Sequence, residues 1–549
     1  MTLFAIARAD FLERVRRPGY LVTLGFMVYA AHLFLPPNHA RYATFRIADF
    51  RGVYNSHWVG VASAMLASIF VSFAGFYLVK NAVERDRRTG VGAIVAATRV
   101  PTPAYLFGKF LSNLAVLAGM LAVMAAAVAI LQWVRAEDRH IDPIAIALPL
   151  LLVSLPMMAL TAGIAVAFEA TPGLRGGPGN VVFFFLWMLT LAQGFGDGRS
   201  LLADPAGSAT VIESATGRCR ELGLPIEGGG LSVGFNIKEK GVWELTTFDY
   251  HGIRWTPRLL ASRLLWLLVA CALPLTASLW FDRFDTAVAP AGSSKRWKGG
   301  EAAAVAAGTA VAPGTVAVSG PAAASAGATA RAAVHVADLA PATRGHGILP
   351  LLRAEMAIQL RGHSRWWWLV AIALAVTSAF VPAGPARGFV HGLAWIWPLF
   401  LWSSMGARER LHGTSDILFS APRPLARQLV GMWLVGVAIA GVAALGVPAR
   451  ALLEGNRAAA WAWMGGACFV PSLALACGVW TGSGKLFEVL YLLLWYAGPI
   501  NQAPPLDYGG FTAAGLASGV PSGFALAGVV LLALAVVGRR RQIHADRRA

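Results

Sequence analysis

The sequence predicts an all-α polytopic membrane protein with about 12 transmembrane helices, and composition, apolar run length and charge placement each support that class. Of its 549 residues, 57% are hydrophobic and 13% are charged. Soluble domains average about 45–50% apolar and about 25% charged residues, so this chain has too few polar side chains to cover a globule. These numbers exclude a soluble enzyme, a disordered chain and a collagen-like fibre.

Twelve apolar runs approach the length of about 20 residues that a membrane-spanning helix requires. They are 19–36, 58–79, 107–133, 144–168, 181–196, 259–281, 366–383, 390–406, 428–447, 458–480, 486–500 and 521–538. The fifth and eleventh are short. An even number of spans places both termini on the same side of the membrane.

The net charge of +18 comes from 46 Lys and Arg against 28 Asp and Glu. In the second half of the chain, basic residues collect in alternate loops and in the 539–548 tail, whereas the intervening loops carry only Arg387, Arg450 and Arg457. The positive-inside rule therefore predicts that both termini are cytoplasmic. Because the basic residues flank apolar runs, we expect no nucleic-acid partner.

Within residues 286–346, the stretch 301–333 is built almost entirely from Ala, Gly, Val, Pro, Ser and Thr without helical periodicity. This composition predicts a flexible cytoplasmic linker. It separates residues 1–285 from residues 347–549, with six predicted spans in each part. The polar stretch at about 197–258 is predicted to form an extracellular cap or small domain.

The two parts share repeated blocks. Asp86-Arg87-x-x-Gly90-x-x-x-Ile94 with Pro101 and Gly108 matches Glu409-Arg410-x-x-Gly413-x-x-x-Ile417 with Pro424 and Gly431, at a constant offset of 323 residues. Arg8-Ala9-Asp10 matches Arg353-Ala354-Glu355 at an offset of 345, and Leu186-Trp187 matches Leu494-Trp495 at 308. Six spans in each copy predict parallel repeats related by an axis along the membrane normal.

Two features of each copy suggest a function. The segments before the first and seventh spans are basic and amphipathic, which favours helices lying at the membrane interface over plain basic flanks. The charged loop after the second and eighth spans predicts a short cytoplasmic helix that docks into a partner protein. A solvated connector is the alternative interpretation of that loop.

This order of elements resembles the ABC-2 type permease, the membrane subunit of one class of ATP-binding-cassette transporter, with two permeases fused in one chain. The resemblance implies elbow helices at roughly 3–17 and 349–363 and coupling helices within 84–105 and 408–428. It implies coupling to the ATPase through the following residues: Glu84, Asp86, Arg87, Gly90, Pro101, Gly108, Glu409, Arg410, Gly413, Pro424 and Gly431. It further implies an exporter in a bacterial inner membrane. Single-half permeases are the usual family form, and because this chain already holds two coupling segments, we expect one copy of it with two ATPase subunits.

We expect no enzymatic activity in the chain itself. Gly482-Ser483-Gly484-Lys485-Leu486 lacks the upstream glycine and the Ser or Thr after the lysine that a phosphate-binding loop requires. The sequence contains no hydrolase motif, and its four cysteines form no metal-binding pattern. No cofactor is expected in this chain, and ATP and magnesium would bind to the partner ATPase.

Aromatic residues of the fifth and eleventh spans are candidates for a substrate path between the two parts. Phe184, Trp187, Tyr491 and Trp495 would suit a hydrophobic or amphipathic substrate. Packing between helices or contact with lipid is an equally good interpretation of these residues.

Two other classes remain as alternatives. A secondary transporter of the major facilitator type also has six plus six spans and a central linker, but the predicted spans hold few ionisable groups, with Glu488 as the main candidate. A membrane-embedded enzyme would need a catalytic pair, which the acidic residues of 197–258 do not suggest.

Overall fold

The computed structural model describes residues 2–16, 18–36, 42–195, 204–226, 231–237, 245–284, 348–361, 365–380, 385–420, 425–443 and 445–546. The linker predicted at 286–346 lies outside these residues. We refer to residues 2–284 as the N-terminal segment and to residues 348–546 as the C-terminal segment.

Helices dominate the N-terminal segment. They are α1 Thr2–Val15, α2 Pro18–Phe34, α3 Ser56–Leu66, α4 Ser72–Val79, α5 Ala82–Arg88, α6 Val91–Ala97, α7 Thr102–Arg135, α8 Pro143–Pro149, α9 Leu155–Ala170, α10 Gly177–Phe195, α11 Ser208–Glu221 and α12 Pro257–Ala277. Single π-helical turns at Ala67–Val71 and Leu150–Ser154 connect α3 to α4 and α8 to α9. Ser56–Arg88 and Pro143–Ala170 are therefore long helices with internal irregularities.

The C-terminal segment is also helical. Its helices are α13 Ile348–Leu360, α14 Arg365–Phe380, α15 Pro385–Ile396, α16 Leu399–Ser403, α17 Arg408–Leu411, α18 Ser415–Phe419, α19 Val430–Ala443, α20 Gly446–Leu453, α21 Arg457–Thr481, α22 Lys485–Trp495, α23 Ala513–Ala517 and α24 Val520–Asp546. The helices α1 and α13 occupy the positions predicted for the two elbow helices.

Within the described residues, seven helices are long and apolar enough to cross a membrane. They are Ser56–Arg88, Thr102–Val134, Pro143–Ala170, Gly177–Phe195, Pro257–Ala277, Arg457–Thr481 and Val520–His544. They coincide with the predicted second to sixth, tenth and twelfth spans. An eighth is added if the pair Arg427–Ala443 and Gly446–Leu453, bent by 66°, is one span.

The other predicted spans are shorter or interrupted. The first and seventh have 17 and 16 residues. The eighth is divided at Pro398 into α15 and α16, and the eleventh ends in a π-helical turn that contains Pro499. Proline has no backbone N–H to donate and clashes with the preceding helical turn. The regular helix is therefore interrupted at these prolines, although the apolar sequence continues past them.

Burial of the long helices separates a centre from a periphery. The most apolar window of Ser56–Arg88 has a mean hydropathy of 2.0 and is 89% buried, whereas that of Val520–His544 has a mean hydropathy of 2.4 and is only 17% buried. Exposed side chains on this outer helix include Leu526 and Val529. A continuous exposed apolar surface of this kind is stable against lipid but not against water. The chain is thus a membrane protein.

A four-stranded sheet lies at one end of the N-terminal segment, and it was not predicted. Its strands are β1 Tyr42–Ile47, β2 Phe50–Gly52, β3 Leu231–Ile237 and β4 Thr246–Phe248, in the order β3-β1-β2-β4. The strand β1 is antiparallel to β2 and β3, with Phe45 opposite Val233, while β2 and β4 are parallel. The loop after α2 and the 197–258 stretch therefore build one cap together.

Trp58, at the start of the long helix Ser56–Arg88, anchors this cap. Its ring stacks on Phe45 at 4.7 Å between centroids and meets Phe248 edge-on at 5.5 Å. Gly52 lies so close that a Cβ there would be 2.3 Å from the Trp58 ring. We call this the sheet end, and the opposite end of the same helix, near Arg88, the basic end.

Candidate functional site

Both copies of the repeated charged block lie at the basic end, where α1 and α13 also pack. In the N-terminal segment, Asp10 of α1 is the centre of a buried charge network. Its carboxylate pairs with Arg85 of α5, with Arg14 at 3.1 Å and with Lys109 of α7 at 2.8 Å, and accepts a hydrogen bond from Ser112 at 2.6 Å. These contacts join α1 to α5 and α7.

Burial would raise the pKa of Asp10, but the charges of Arg14 and Lys109 outweigh burial and lower it to about 2. The carboxylate is therefore ionised at every physiological pH. A buried charge of this kind is stable only while its partners stay in place, so the network fixes the position of α1 on the bundle.

The C-terminal segment repeats this contact. Arg408 of α17 donates a hydrogen bond to Glu355 of α13. Glu355 stands at the position matched to Asp10 by the offset of 345, and Arg408 at the position matched to Arg85 by the offset of 323. In both segments the same ion pair therefore ties the elbow helix to the charged loop.

The next acidic residue of each block is buried as well. Asp86 accepts a hydrogen bond from the Tyr105 hydroxyl at 2.7 Å and pairs with Lys109 at 2.8 Å. Glu409 accepts one from Gln428 Nε2 at 3.1 Å and pairs with Arg539 at 3.1 Å. Tyr105 and Gln428 are matched by the offset of 323. Asp86 and Glu409 thus hold the loop in place from the inside.

The matched glycines have matched conformations. Gly90 and Gly413 have φ angles of +76° and +63°, a left-handed conformation that glycine adopts without steric cost.

A Cβ at Gly108 would lie 3.0 Å from Ile6 Cγ2, and one at Gly431 would lie 3.3 Å from Leu351 Cδ2. These glycines let the elbow helices α1 and α13 approach α7 and α19. Pro101 precedes the first residue of α7, and Pro424 lies outside the described residues.

The remaining predicted coupling residues differ in accessibility. Glu84 pairs with Arg88 at 2.9 Å. Arg87 pairs with Asp282 at 3.1 Å and lies over the Phe284 ring, so its guanidinium already has partners within the chain. Arg410 is exposed. Of the two matched arginines, only Arg410 points outward.

The most exposed apolar side chains of the two blocks are isoleucines, which the sequence analysis did not include among the site residues. Ile94 on α6 is 67% exposed and Ile417 on α18 is 75% exposed. They are matched by the same offset of 323 residues. The signal that could have revealed them is an isoleucine that recurs at the same position of both repeated blocks.

Glu169, at the end of α9, is a second residue that the sequence analysis missed. Its carboxylate accepts hydrogen bonds from four successive backbone N–H groups at the start of α5, from Asn81 to Glu84. An anionic cap at a helix N-terminus satisfies donors that the helix leaves free. Its signal in the sequence is an acidic residue directly after an apolar span.

The predicted substrate-path residues meet at the seam between the two segments. The rings of Phe184 and Trp495 are 5.8 Å apart. Trp187 donates its indole N–H to the Ile69 carbonyl at 3.0 Å, and Trp495 donates to the Gly392 carbonyl at 2.6 Å. All of these aromatic rings are buried. In this conformation they pack helix against helix and close the seam.

Tyr491, the fourth predicted path residue, lies on the C-terminal side of the seam. Its hydroxyl donates a hydrogen bond to the Trp395 carbonyl at 2.8 Å. Its ring is fully buried and stacks on Phe487 at 5.2 Å. Its hydrogen bond and its ring contacts with Trp402, Phe487 and Tyr508 all lie within the C-terminal segment.

Polar side chains continue the seam toward the basic end. Asn180 donates a hydrogen bond to the Glu488 carboxylate, and these two residues are matched by the offset of 308. Lys80 donates to Asn180 Oδ1 at 2.7 Å, and Lys485 donates to the Lys80 carbonyl at 2.9 Å. We call these four residues the seam cluster.

The helices, the sheet cap and the seam define the class of this protein as a polytopic α-helical membrane protein. No family model, no curated protein and no solved structure matches the chain. Among the described residues, no group of three or more His, Cys, Asp or Glu side chains is arranged to hold a metal ion.

Proposed function

We propose that the chain is the membrane-spanning subunit of an ABC transporter, composed of two fused ABC-2 type permease repeats with twelve spans in total. It exports a hydrophobic or amphipathic substrate, and separate ATPase subunits hydrolyse ATP. Both termini and the basic end face the cytoplasm of a bacterium, whose inner membrane holds the protein.

The observation that carries this proposal is the pair of matched contacts at the basic end. Ion pairs at matched positions, Asp10 with Arg85 and Glu355 with Arg408, tie an elbow helix to a short charged loop in each segment. A plain connector would not need the same buried ion pair twice. Such a pair transmits force, because separating two buried charges is costly.

Each loop presents one exposed isoleucine beyond that ion pair. Ile94 and Ile417 are the side chains that a cleft on an ATPase would cover. A central apolar anchor inside a polar rim is typical of the residues that dominate binding at protein interfaces. Movement of the ATPase cleft would then be transmitted through Arg85 and Arg408 to the elbow helices and the spans.

The aromatic seam provides the substrate path in this proposal. Separation of the two segments would expose Phe184, Trp187 and Trp495 to one continuous space. Large aromatic surfaces of this kind bind apolar or amphipathic molecules.

Replacing Ile94 and Ile417 together with glutamate tests the docking role. We expect the chain to insert and purify normally, while recovery of its proposed ATPase partner falls at least tenfold, since a buried carboxylate in an apolar contact is unfavourable. The matched control replaces Ile144 and Leu453 with glutamate. These two side chains are 72% and 89% exposed and lie outside both charged loops. The wild-type complex should have the native mass of one chain with two ATPases. Full recovery with the Ile94/Ile417 variant would refute the docking role.

One observation favours a secondary transporter as the second candidate. Glu488 is buried at the seam between the two segments, and coupling to an ion gradient needs an intramembrane carboxylate. Uptake into inverted vesicles separates the two mechanisms. In an ATP-driven transporter, Glu488→Gln retains transport and collapse of the proton gradient has no effect. In a gradient-driven transporter, both treatments abolish transport.

A further inference from the structure

A basic cavity lies at the basic end, between the start of the N-terminal charged loop and the seam cluster. It has a volume of about 550 Å³ and lies between α1, α2, the end of the long helix and α7. Five cationic side chains line it against one carboxylate: Arg14, Lys80, Arg85, Arg88 and Lys485 against Glu84. An adjoining cavity of about 440 Å³ shares Lys80, Glu84, Arg88 and Lys485 and adds Arg175 and the carboxylate Glu488.

The remaining wall of the first cavity is apolar and aromatic, with Tyr20, Tyr77 and Val116. Its mouth is formed by Leu78, which is 39% exposed, and by Arg88, whose side chain is 62% exposed. Leu78 belongs to a membrane-spanning helix, so the cavity opens where the bilayer meets the basic end. Cations on one wall and apolar groups on the other fit a phosphate that is attached to an apolar molecule.

Not all of the cations are neutralised within the chain. The Lys80 ammonium already donates hydrogen bonds to three uncharged oxygens, those of Asn180, Leu174 and Gly176. It therefore contributes positive charge to the cavity wall rather than an unused hydrogen-bond donor. Arg14 has a buried Nε without a hydrogen-bond partner. Arg88 pairs with Glu84 through its Nε at 2.9 Å and keeps its two terminal guanidinium nitrogens for a ligand at the mouth. Arginine at these two places can donate paired hydrogen bonds to a phosphate.

The C-terminal segment carries other residues at the positions matched to three of these cations. By the offsets of 345 and 323, Arg14, Lys80 and Arg88 are matched by Gln359, Ser403 and Leu411. The C-terminal segment keeps the structural pair of Arg408 and Glu355 but lacks the other charges of the cavity. The C-terminal segment therefore has no matched cavity with the same set of cations among its described residues.

We propose that this cavity binds a phosphate-bearing anion, supplied by an anionic phospholipid headgroup or by a free phosphate. Basic pockets between spanning helices on the cytoplasmic side are known to take anionic lipid headgroups. The site does not depend on the proposed transport activity, because it requires only that the chain lies in a bilayer.

The test is a lipid titration of the purified full-length chain in detergent, followed by native mass spectrometry. Phosphatidylglycerol is the probe, and phosphatidylcholine is the reference lipid. The test variant Arg14→Gln/Arg88→Leu introduces the residues that the C-terminal segment has at the matched positions. The control Arg220→Gln/Arg258→Gln removes the same charge from two exposed residues outside the cavity.

We expect one phosphatidylglycerol to bind to the wild-type chain in preference to phosphatidylcholine. Each lost cation should weaken this binding about fivefold, hence about 25-fold for the double variant, with no change in the control. Arg88→Leu alone, at the exposed mouth, should show the fivefold loss without any risk to folding. Unchanged binding in both Arg88→Leu and the double variant would overturn the proposal.

A second arm identifies the source of the phosphate. Inorganic phosphate is added to the wild-type chain at millimolar concentration, alone and in competition with phosphatidylglycerol. If it displaces the lipid and its own binding is lost in the double variant, the site takes a free phosphate. If it does not compete while phosphatidylglycerol binding still depends on Arg14 and Arg88, the site is a lipid headgroup site. Binding of neither probe would refute the proposal.

Discussion

Buried acidic side chains determine the structure of the basic end at the scale of single residues. Asp10, Asp86 and Glu409 each hold at least one cation, and Glu169 caps α5. Each is almost fully buried, so each depends on its partners for stabilisation. Substituting any of them leaves buried donors without acceptors.

Asp10→Asn is expected to lower the free energy of unfolding by about 3–5 kcal/mol, because it removes one partner from a buried charge network. Denaturant titration of the purified chain in detergent measures this. The matched control is Glu13→Gln. Glu13 also pairs with Arg85, but its side chain is 49% exposed, so its loss should cost no more than about 1 kcal/mol. Equal effects of the two substitutions would refute the role of Asp10.

The same carboxylate predicts a pH dependence. The pKa of Asp10 is about 2 in the folded chain, against an ordinary value of 3.8. A lowered pKa means that the ionised form stabilises the fold above about pH 4, and that this contribution is lost as the pH falls toward 2. The difference in stability between wild type and Asp10→Asn should therefore shrink over that interval. A difference that stays constant down to pH 2 would contradict the pKa.

Small residues allow close contacts between spanning helices at the scale of the elements. A Cβ at Gly163 of α9 would lie 2.6 Å from the Ala270 carbonyl oxygen of α12, and one at Gly478 of α21 would lie 2.0 Å from the Met405 carbonyl oxygen. Close approach at glycine is the usual way in which helices pack in a bilayer, where no hydrophobic force drives them together.

Gly163→Ala should therefore destabilise the chain by about 1–3 kcal/mol, because the backbone of α12 must move away. The control is Gly441→Ala in α19, where nothing lies within 4 Å of the added Cβ. There, alanine should be neutral or stabilising by up to about 1 kcal/mol, since it favours the helix. Thermal melting of both variants in detergent checks this. A stabilised Gly163→Ala variant would show that the two helices are not in close contact.

At the scale of the whole molecule, charge placement predicts how the protein is oriented in the membrane. The sheet cap and the basic end lie at opposite ends of Ser56–Arg88, so they should lie on opposite sides of the membrane. By the positive-inside rule, we expect the basic end to be cytoplasmic.

A periplasm-active reporter tests this orientation. Fused after Pro205, beside the sheet cap, it should be active, and fused after residue 304 it should be inactive. The reverse pattern would overturn the orientation and, with it, the cytoplasmic docking of Ile94 and Ile417. A reporter active only in the cytoplasm, fused at the same two sites, is the control and should give the opposite result.

The site was predictable in part. The repeated block singles out Asp86, Arg87, Glu409 and Arg410 from the sequence, because charge and spacing are local properties, and these residues lie at one end of the bundle. Their roles were not predictable. Arg87 pairs with Asp282, and Asp86 and Glu409 are buried, because the partners of a charge are determined by residues that are distant along the chain.

Local sequence alone determined that this is a membrane protein. It also determined where seven of the long helices lie and that two charged blocks recur at a constant offset. Apolar run length and residue spacing are sufficient for these conclusions, because a spanning helix satisfies its own backbone hydrogen bonds. Tertiary structure alone decided the rest. The sheet pairs Phe45 with Val233, Asp10 is surrounded by cations from three helices, and the basic cavity collects Lys485 from the other segment. These features depend on contacts between distant parts of the chain, and no local pattern specifies which charges will meet.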